Sequence, residues 1–267
     1  RDSEPRLLQT GSTYIMISFI TLFLVGIGVG CFGALVGLGG GLIMVPLFML
    51  TMMPPHGTTF ETVQQVIGTS LFGVLLNAMS GSWAYWKSNL IMFRAAIPFA
   101  IATIPGAWLG GTLSNYFSGP GFSITFGVTL ILMAAVMWWK KNSKRGSTPI
   151  EGFDPKTAKF NLWLGVFLSL FVGFISSILG IGGGIIHVPM MMFILGFPTI
   201  IATATSTFVL MISALIGTVS HAMLGHILWV PAIAVGVGAI VGAQIGVKLA
   251  KKSKPKLILK LLCLAMC

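Results

Sequence analysis

The sequence predicts an all-α polytopic membrane protein made of two repeated halves. Of its 267 residues, 55% are hydrophobic and only 8% are charged. Many of its apolar runs approach about 20 residues, the length at which a helix crosses a hydrocarbon core of about 30 Å. A soluble chain of this size could not bury so much apolar surface. We therefore expect a bundle of helices that spans a lipid bilayer.

Ten apolar segments follow one another, five on each side of a basic stretch. We expect a single transmembrane domain over residues 1–267, with repeat one at about 13–139, a cytoplasmic basic loop at about 140–159 and repeat two at about 160–267. The expected segments are about 13–36, 40–53, 60–86, 90–114 and 121–139, then about 160–180, 183–197, 199–223, 227–249 and 257 to the end.

The two halves match piece by piece, which indicates an internal duplication. "GLGGGLIMVP" at 37–46 corresponds to "GIGGGIIHVP" at 180–189. "GTS" at Gly68–Ser70 corresponds to "ATS" at Ala204–Ser206, and "GAWLG" further on corresponds to "GAQIG". The order and spacing of these pieces are the same in both halves, apart from one longer loop, "MMPPHGTTFE", in the first.

The net charge of +11 reflects membrane topology rather than nucleic-acid binding. Twelve of the sixteen Lys and Arg residues lie in two short polar stretches beside apolar segments, as the positive-inside bias produces. Both stretches should face the cytoplasm, and no nucleic-acid partner is expected. They are Lys140, Lys141, Lys144, Arg145, Lys156 and Lys159, and Lys248, Lys251, Lys252, Lys254, Lys256 and Lys260.

If both basic stretches face the cytoplasm, an even number of crossings separates them. Four segments lie between them, so the short segment 183–197 has to count as a crossing made partly by unwound glycine backbone. Each repeat then has five apolar segments, including a short broken helix after a Gly-rich motif. Five is an odd number, and this predicts two inverted-topology repeats, a plan common among secondary transporters.

The glycine triplets are the first candidate for a substrate-binding site. They comprise Gly39, Gly40 and Gly41 in one half and Gly182, Gly183 and Gly184 in the other. Proline fits the first turn of a helix, so helices are expected to resume between each triplet and Pro46 or Pro189. The free N–H groups of such helices would point at the centre of the protein and attract an anion. The alternative is that the glycines only permit close helix packing.

The hydroxyl pairs Thr69–Ser70 and Thr205–Ser206 are the second candidate. "TTFE" predicts a capping box with Thr58 as the N-cap, which places Thr69 roughly 15 Å into the bilayer. Pro198 starts the matching helix, with Thr205 and Ser206 about 11–12 Å in. Asn77 follows Ser70 on the same face. The alternative is that these hydroxyl groups bond their own backbone.

The remaining polar residues favour an anion over a cation. The five acids lie at termini, in loops or at a helix start, whereas a cation pump buries carboxylates. The three cysteines have neither metal nor redox spacing, and no cofactor is expected. His187, opposite Met44 in the first half, could donate to substrate, carry a proton or only pack. His221, His226 and Tyr85 are expected at the membrane interface.

The twin "GxGGGxxxVP" stretches, each followed by a "TS" helix in a duplicated apolar chain, resemble the TauE/SafE sulfite exporter family, also described as the toluene-sulfonate uptake permease family. The resemblance implies a multi-pass plasma (inner) membrane transporter for small sulfur oxyanions or organosulfonates. The family's motifs fall on Gly37, Gly39–Gly41 and Pro46, on Gly180, Gly182–Gly184 and Pro189, and on the Thr-Ser pairs. His187 in place of Met44 is the one departure from matching halves.

We therefore expect a secondary transporter that lies in the lipid bilayer and exports a sulfite-like anion by alternating access. A homodimer is a possible oligomeric state. A passive anion channel would have the same composition. An intramembrane serine hydrolase is a weaker alternative, because no G-x-S-x-G elbow is present. His221 lies about fifteen residues, roughly 22 Å, from Ser206 along one helix, although the sequence does not exclude His187 as a partner for either serine.

Overall fold

The computed structural model describes residues 4–54, 57–116, 120–140, 153, 158 and 160–266. Most of the expected basic loop at 140–159 and His56 lie outside these residues. Within them the chain forms α-helices and no β-strand. The helices are α1 (Glu4–Val36), α2 (Gly41–Met52), α3 (Val63–Trp86), α4 (Phe93–Leu113), α5 (Pro120–Lys140), α6 (Leu162–Leu179), α7 (Gly184–Pro189), α8 (Thr199–Met223), α9 (Trp229–Lys252) and α10 (Pro255–Met266).

The expected all-α membrane architecture is confirmed. Among the described residues, six helices are long and apolar enough to cross a bilayer: α1 through its part Phe19–Val36, α3, α4, α6, α8 and α9. Shorter apolar helices occupy Gly41–Met52, Gly121–Met137 and Gly184–Ile194. The last of these combines α7 with a π-helical turn over Met190–Ile194. The two short segments that the sequence singles out are therefore short helices in the structure.

The expected capping box of α3 is wrong by one helical turn. The helix begins at Val63, and its N-cap is Thr62, whose side chain accepts a hydrogen bond from the Gln65 N–H at 3.3 Å. The Gln65 side chain in turn accepts from the Glu61 N–H at 2.9 Å. Thr62 and Gln65 thus cap the helix, but the Gln65 side chain bonds the residue before the N-cap, whereas in the capping box expected for Thr58 and Glu61 the Glu61 side chain would bond the N-cap itself.

This correction equalises the depths of the two hydroxyl pairs. Thr69 follows its N-cap Thr62 by the same seven residues that separate Thr205 from Pro198, the residue preceding α8. Both threonines therefore lie about 10 Å into their helices. The sequence estimate of roughly 15 Å for Thr69 is too large, because the helix starts later than the pattern indicates.

The two prolines of the repeated motif also lie elsewhere than expected. Pro46 and Pro189 are each the sixth residue of their helix, since α2 begins at Gly41 and α7 at Gly184. At that position proline removes an internal hydrogen bond instead of suiting the first turn. In the second repeat the α-helix ends at Pro189 and continues as the π-helical turn.

Helices from opposite repeats pack against each other through glycine. A Cβ atom on Gly30 of α1 would lie 2.6 Å from Ala239 Cα of α9. The matching contact joins α6 and α4, where a Cβ atom on Gly173 would lie 2.5 Å from the Thr103 carbonyl oxygen. Small residues that let backbones approach closely are what drives helix association where lipid replaces water. The repeats are thus interlocked rather than side by side.

The corresponding helices α3 and α8 cross the centre of the molecule in antiparallel directions. A Cβ atom on Gly81, near the end of α3, would lie 3.2 Å from Thr207 Cγ2, near the start of α8. Conversely, a Cβ atom on Gly217, near the end of α8, would lie 3.2 Å from Leu71 Cδ1, near the start of α3. Equivalent helices that run in opposite directions support the inverted-topology repeat, which stays a prediction.

Cysteine labelling of matched positions tests this topology. The exposed residues Lys87 and Met223 occupy equivalent places at the ends of α3 and α8. We expect Lys87→Cys to react with a membrane-impermeant maleimide from one side only, and Met223→Cys from the other. Ser253→Cys should react from the same side as Lys87→Cys. The Lys251 Nζ donates to the Ser88 Oγ at 2.9 Å, which places the C-terminal ends of α9 and α3 next to each other. Labelling of positions 87 and 223 from the same side would exclude inverted repeats.

Candidate substrate site

Two glycine turns lie at the centre of the bundle, the first at Gly37–Gly40 and the second at Gly180–Gly183. In each turn three glycines have positive φ, namely Gly37 (84°), Gly39 (75°) and Gly40 (88°), and Gly180 (72°), Gly182 (84°) and Gly183 (87°). Side chains other than glycine rarely adopt this conformation. These six glycines are therefore required by the backbone, which leaves α1 and α6 and re-enters helix at α2 and α7.

The two glycine turns pack directly against each other. A Cβ atom on Gly41 would lie 2.6 Å from the Gly180 carbonyl oxygen and 2.8 Å from Ile181 Cα. A Cβ atom on Gly184 would clash in the same way with the Gly37 carbonyl oxygen. All of these residues are buried. The third glycine of each triplet thus serves close approach between the repeats, since it lacks the positive φ of the first two.

Two apolar side chains close the space between the glycine turns. A Cβ atom on Gly39 would lie 2.8 Å from Leu210 Cδ2 and 2.9 Å from Val74 Cγ1. On Gly182 it would lie 2.6 Å from the same Val74 atom. Val74 and Leu210 occupy equivalent positions on α3 and α8 and belong to one small buried cluster. These two side chains therefore fill the space between the glycine turns.

The hydroxyl pairs connect one repeat to the other. Ser70 Oγ lies 3.0 Å from the Gly180 carbonyl oxygen, and Ser206 Oγ lies 3.4 Å from that of Gly37, each donating to the opposite glycine turn. Thr69 Oγ1 accepts from the Leu228 N–H, and Thr205 Oγ1 accepts from that of Met92, both at 3.1 Å. The threonines thus hold the turns that precede α9 and α4.

This arrangement assigns both pairs a structural role in joining the two repeats. Their hydroxyl groups bond backbone of the opposite repeat, and Ser70 shares its single hydroxyl hydrogen between the Gly180 carbonyl oxygen at 3.0 Å and the Ile67 carbonyl oxygen of its own helix at 2.9 Å. Their part in binding substrate stays a prediction. Because the bonds cross between repeats, any relative movement of the repeats would release these hydroxyl groups beside the glycine turns.

Asn77 carries the amide group closest to the start of α2. It is 1% exposed, and neither its Nδ2 nor its Oδ1 has a hydrogen-bond partner. A Cβ atom on Gly33 would lie 2.8 Å from Asn77 Nδ2 and would clash with the Gly40 backbone nitrogen. Because Gly33 has no side chain, the Asn77 amide group and the Gly40 backbone nitrogen can both approach α1 there. A buried amide without partners costs free energy, which a ligand that accepts hydrogen bonds would recover.

The second repeat places hydroxyl and imidazole groups at the equivalent position. A Cβ atom on Gly183 would lie 3.3 Å from Ser176 Oγ and 3.4 Å from His187 Nδ1. Neither of these buried atoms has a hydrogen-bond partner. The other ring nitrogen of His187, Nε2, lies 3.1 Å from Ser169 Oγ, which sets the ring orientation. The site is thus asymmetric, with an amide beside α2 and an imidazole beside α7.

Sequence reasoning missed Ser176, Ser169 and Ser213. Ser176 corresponds to Gly33, and Ser213 corresponds to Asn77; both are buried and their Oγ atoms lack partners. Extending the alignment of the two halves beyond the repeated motif would have placed Ser213 opposite Asn77. Ser169 had no such signal, because only packing of α6 against α7 brings it to His187.

Several of the groups beside the glycine turns can donate hydrogen bonds, among them the Asn77 amide and the Ser176 hydroxyl. The first-turn N–H groups of α2, at Gly41 and Leu42, have no partner within their own helix, and the helix dipole favours negative charge there. No Asp or Glu lies within the six candidate spans. Among the described residues, no cluster of three or more His, Cys, Asp or Glu residues could hold a metal. This combination suits a small anion that accepts hydrogen bonds.

Paired helices that are interrupted at the centre of a multi-pass helical bundle define the class of polytopic membrane transporters. Comparison with known proteins agrees with this class. A family model described as "Sulfite exporter TauE/SafE" matches residues 22–267. The chain belongs to the TauE/SafE sulfite exporter family.

Curated relatives are named as transporters rather than enzymes. The chain is 31% identical to the probable membrane transporter protein YunE of Bacillus subtilis over 255 residues, which cover 92% of this chain and 93% of that protein. It is 26% identical to the probable membrane transporter protein MJ0441 of Methanocaldococcus jannaschii over 245 residues, covering 88% and 87%. The comparison with solved structures found no match.

Proposed function

We propose that this protein is a secondary transporter in the plasma membrane that exports a small sulfur oxyanion or organosulfonate, with sulfite as the reference substrate. The observation that carries the proposal is the convergence of unpartnered buried donors on the glycine turns. Asn77 Nδ2 lies beside the start of α2, and Ser176 Oγ lies beside the start of α7. An oxyanion accepts hydrogen bonds from all of these groups, and it needs no lysine or arginine there.

The packed centre supports alternating access as the mechanism. Val74 and Leu210, which pack beside Gly39 and Gly182, belong to different repeats and would have to separate to make room for substrate between the glycine turns. The hydrogen bonds of the Thr-Ser pairs cross the same boundary. Movement of one repeat against the other would therefore open the site and expose its hydroxyl groups together. A negative-inside membrane potential would drive an anion outward with about 2.3 kcal/mol per charge per 100 mV.

Flux measurements in proteoliposomes test the function. We expect saturable sulfite counterflow, in which unlabelled sulfite inside accelerates entry of labelled sulfite. Sulfate, thiosulfate, sulfoacetate and chloride as competitors would rank the substrate class. Flux that neither saturates nor shows counterflow would identify a passive anion channel, and absence of sulfite-dependent flux or binding would contradict the proposal.

Removing the first hydroxyl pair tests its role in binding. For the double variant Thr69→Val and Ser70→Ala we expect sulfite affinity to fall at least about tenfold, because even one hydrogen bond to a charged group contributes about 1.5–3 kcal/mol. Isothermal titration calorimetry would measure the affinity, and thermal unfolding would verify the fold. The exposed hydroxyl in Thr112→Val, on α4, is a control that should leave affinity unchanged. Unchanged affinity in the double variant would remove Thr69 and Ser70 from the site.

A further inference from the structure

Two histidines pair at the turn between α8 and α9. His221 Nδ1 lies 3.1 Å from His226 Nδ1, and the ring centroids are 5.3 Å apart. His221 is fully buried, whereas His226 is partly exposed. Sequence reasoning placed both at the membrane interface, but the structure places the His221 ring inside the protein. The proposed transport step does not use this pair.

The hydrogen bonds around the pair determine its protonation. His221 Nε2 lies 3.3 Å from the Ser177 carbonyl oxygen, which can only accept, so Nε2 carries a hydrogen. The neutral His221 ring then has a bare Nδ1, and His226 has to donate its Nδ1–H to it. The only nitrogen left for a further proton is His226 Nε2. The closed pair therefore holds at most one extra proton.

The separated rings can hold two extra protons, one each. With two protons in the closed arrangement, both Nδ1 atoms would carry hydrogens and face each other at 3.1 Å, where neither could accept. The open arrangement therefore binds more protons than the closed one. By linkage, acidification favours the arrangement that binds more protons, so falling pH opens the pair. Burial also lowers the pKa of His226, which acts in the same direction.

No charged side chain compensates a charge on this pair among the described contacts. The groups packed against it are Gly68 on α3, Gly111 on α4 and the Ser177 carbonyl group on α6. Neither α6 nor α8 contains an acid, lysine or arginine. Glu61 precedes α3, about two helical turns before Gly68. Lys87 follows α3 and Arg94 lies at the start of α4, in both cases at the end of the helix away from the histidine pair.

The turn that carries His226 covers part of the candidate substrate site. A Cβ atom on Gly68 would lie 2.6 Å from the His226 carbonyl oxygen, and the Leu228 N–H donates to Thr69 Oγ1. Gly225, with φ of 73°, follows the end of α8, and the His226 N–H donates to the His221 carbonyl oxygen at 2.9 Å. Displacement of His226 would therefore uncover α3 at the first hydroxyl pair.

The first repeat has the same turn without a titratable pair. Tyr85 corresponds to His221 and donates its hydroxyl hydrogen to the Ala34 carbonyl oxygen at 2.8 Å. Leu90 corresponds to His226, and the Met92 N–H donates to Thr205 Oγ1 as that of Leu228 does to Thr69. The two turns lie at opposite ends of the antiparallel helices α3 and α8. Of these two turns, only the one between α8 and α9 is held by a histidine pair.

We propose that His221 and His226 form a proton-binding site that controls the turn 224–228. This turn covers Thr69 and acts as a gate on the face away from the C-terminal lysines, and proton uptake by the pair releases it. That face is the outer one if the lysines face the cytoplasm. The site would make opening toward the exterior depend on external pH. Its part in transport rests on the proposed function, whereas proton binding itself can be measured without substrate.

Hydrogen–deuterium exchange of the native protein in lipid nanodiscs tests the proposal. After correction for intrinsic exchange, we expect protection in the turn 224–228 to fall about tenfold between pH 7.5 and pH 5.5, the effect of one additional proton taken up with an ordinary histidine pKa of about 6.5. The turn 88–92 is the internal control and should keep its protection. Equal protection of turn 224–228 at both pH values, or an equal loss in both turns, would overturn the proposal.

A variant that copies the first repeat provides the matched comparison. In the double variant His221→Tyr and His226→Leu, the tyrosine hydroxyl can donate to the Ser177 carbonyl oxygen, and the pH response should disappear. The single variant His221→Tyr should keep only the smaller response that burial of His226 gives, and His187→Gln should retain the full response. A full response in the single variant, or any response in the double variant, would assign the proton to another group. These outcomes do not depend on whether sulfite is the substrate.

Discussion

Asn77→Leu is expected to reduce sulfite transport at least tenfold without destabilising the protein. Asn77 is buried on α3, and neither atom of its amide group has a partner, so the native state bears the cost of desolvating it. Leucine has a similar volume and removes that cost of about 1–3 kcal/mol per unsatisfied group. The unfolding temperature should therefore stay the same or rise, while the hydrogen bond to bound oxyanion is lost.

Sulfite flux in proteoliposomes and thermal unfolding in detergent would measure the two effects of Asn77→Leu. Thr207→Val on α8 is the matched control, because the Thr207 hydroxyl already donates to the Thr203 carbonyl oxygen at 2.8 Å. It should leave flux nearly unchanged. If Asn77→Leu destabilises the protein and flux is normal, the amide group is part of the framework, with its oxygen accepting from the Gly40 N–H.

Gly41→Ala is expected to destabilise the protein by about 1–3 kcal/mol, the usual cost of overpacking. The added Cβ atom would lie 2.6 Å from the Gly180 carbonyl oxygen and 2.8 Å from Ile181 Cα. Both are backbone atoms of the second glycine turn, so no side chain can rotate away. The repeats would have to separate, which also disrupts the hydrogen bonds between them. Thermal unfolding and the yield of monodisperse protein would measure the loss.

Gly28→Ala on α1 is the matched control for Gly41→Ala. A Cβ atom on Gly28 meets nothing within 4 Å. Alanine there should stabilise the helix by up to about 1 kcal/mol, since it favours helix more than glycine does. Equal stability of the two alanine variants would contradict the face-to-face packing of the glycine turns.

The length and hydrophobicity of the segments were sufficient to predict the helices. Thr199–Met223 agrees with the expected segment to the residue, and most other boundaries differ by a few residues. Such segments are predictable because a bilayer admits few alternatives to a helix. The start of α3 was less accessible, since "TTFE" and "TVQQ" both contain capping residues and only the fold selects Thr62.

The candidate site was predictable only in part. The repeated "GGG" revealed that unwound backbone was needed, because a pattern of glycines records a local conformational requirement. It did not reveal that Gly41 faces Gly180, or that Ser70 donates to that same carbonyl group. Such contacts join residues more than a hundred positions apart.

The order of amino acids alone therefore established the membrane-spanning helices, the duplication, the glycine interruptions and the scarcity of buried acids. These features follow from local conformational preference and from transfer of side chains out of water, neither of which requires knowledge of the neighbours. The interlocking of the repeats, the unpartnered amide of Asn77 and the pairing of His221 with His226 emerged only from the folded chain. Hydrogen-bond partners and occlusion depend on which helices meet, and that is settled by packing across the whole bundle.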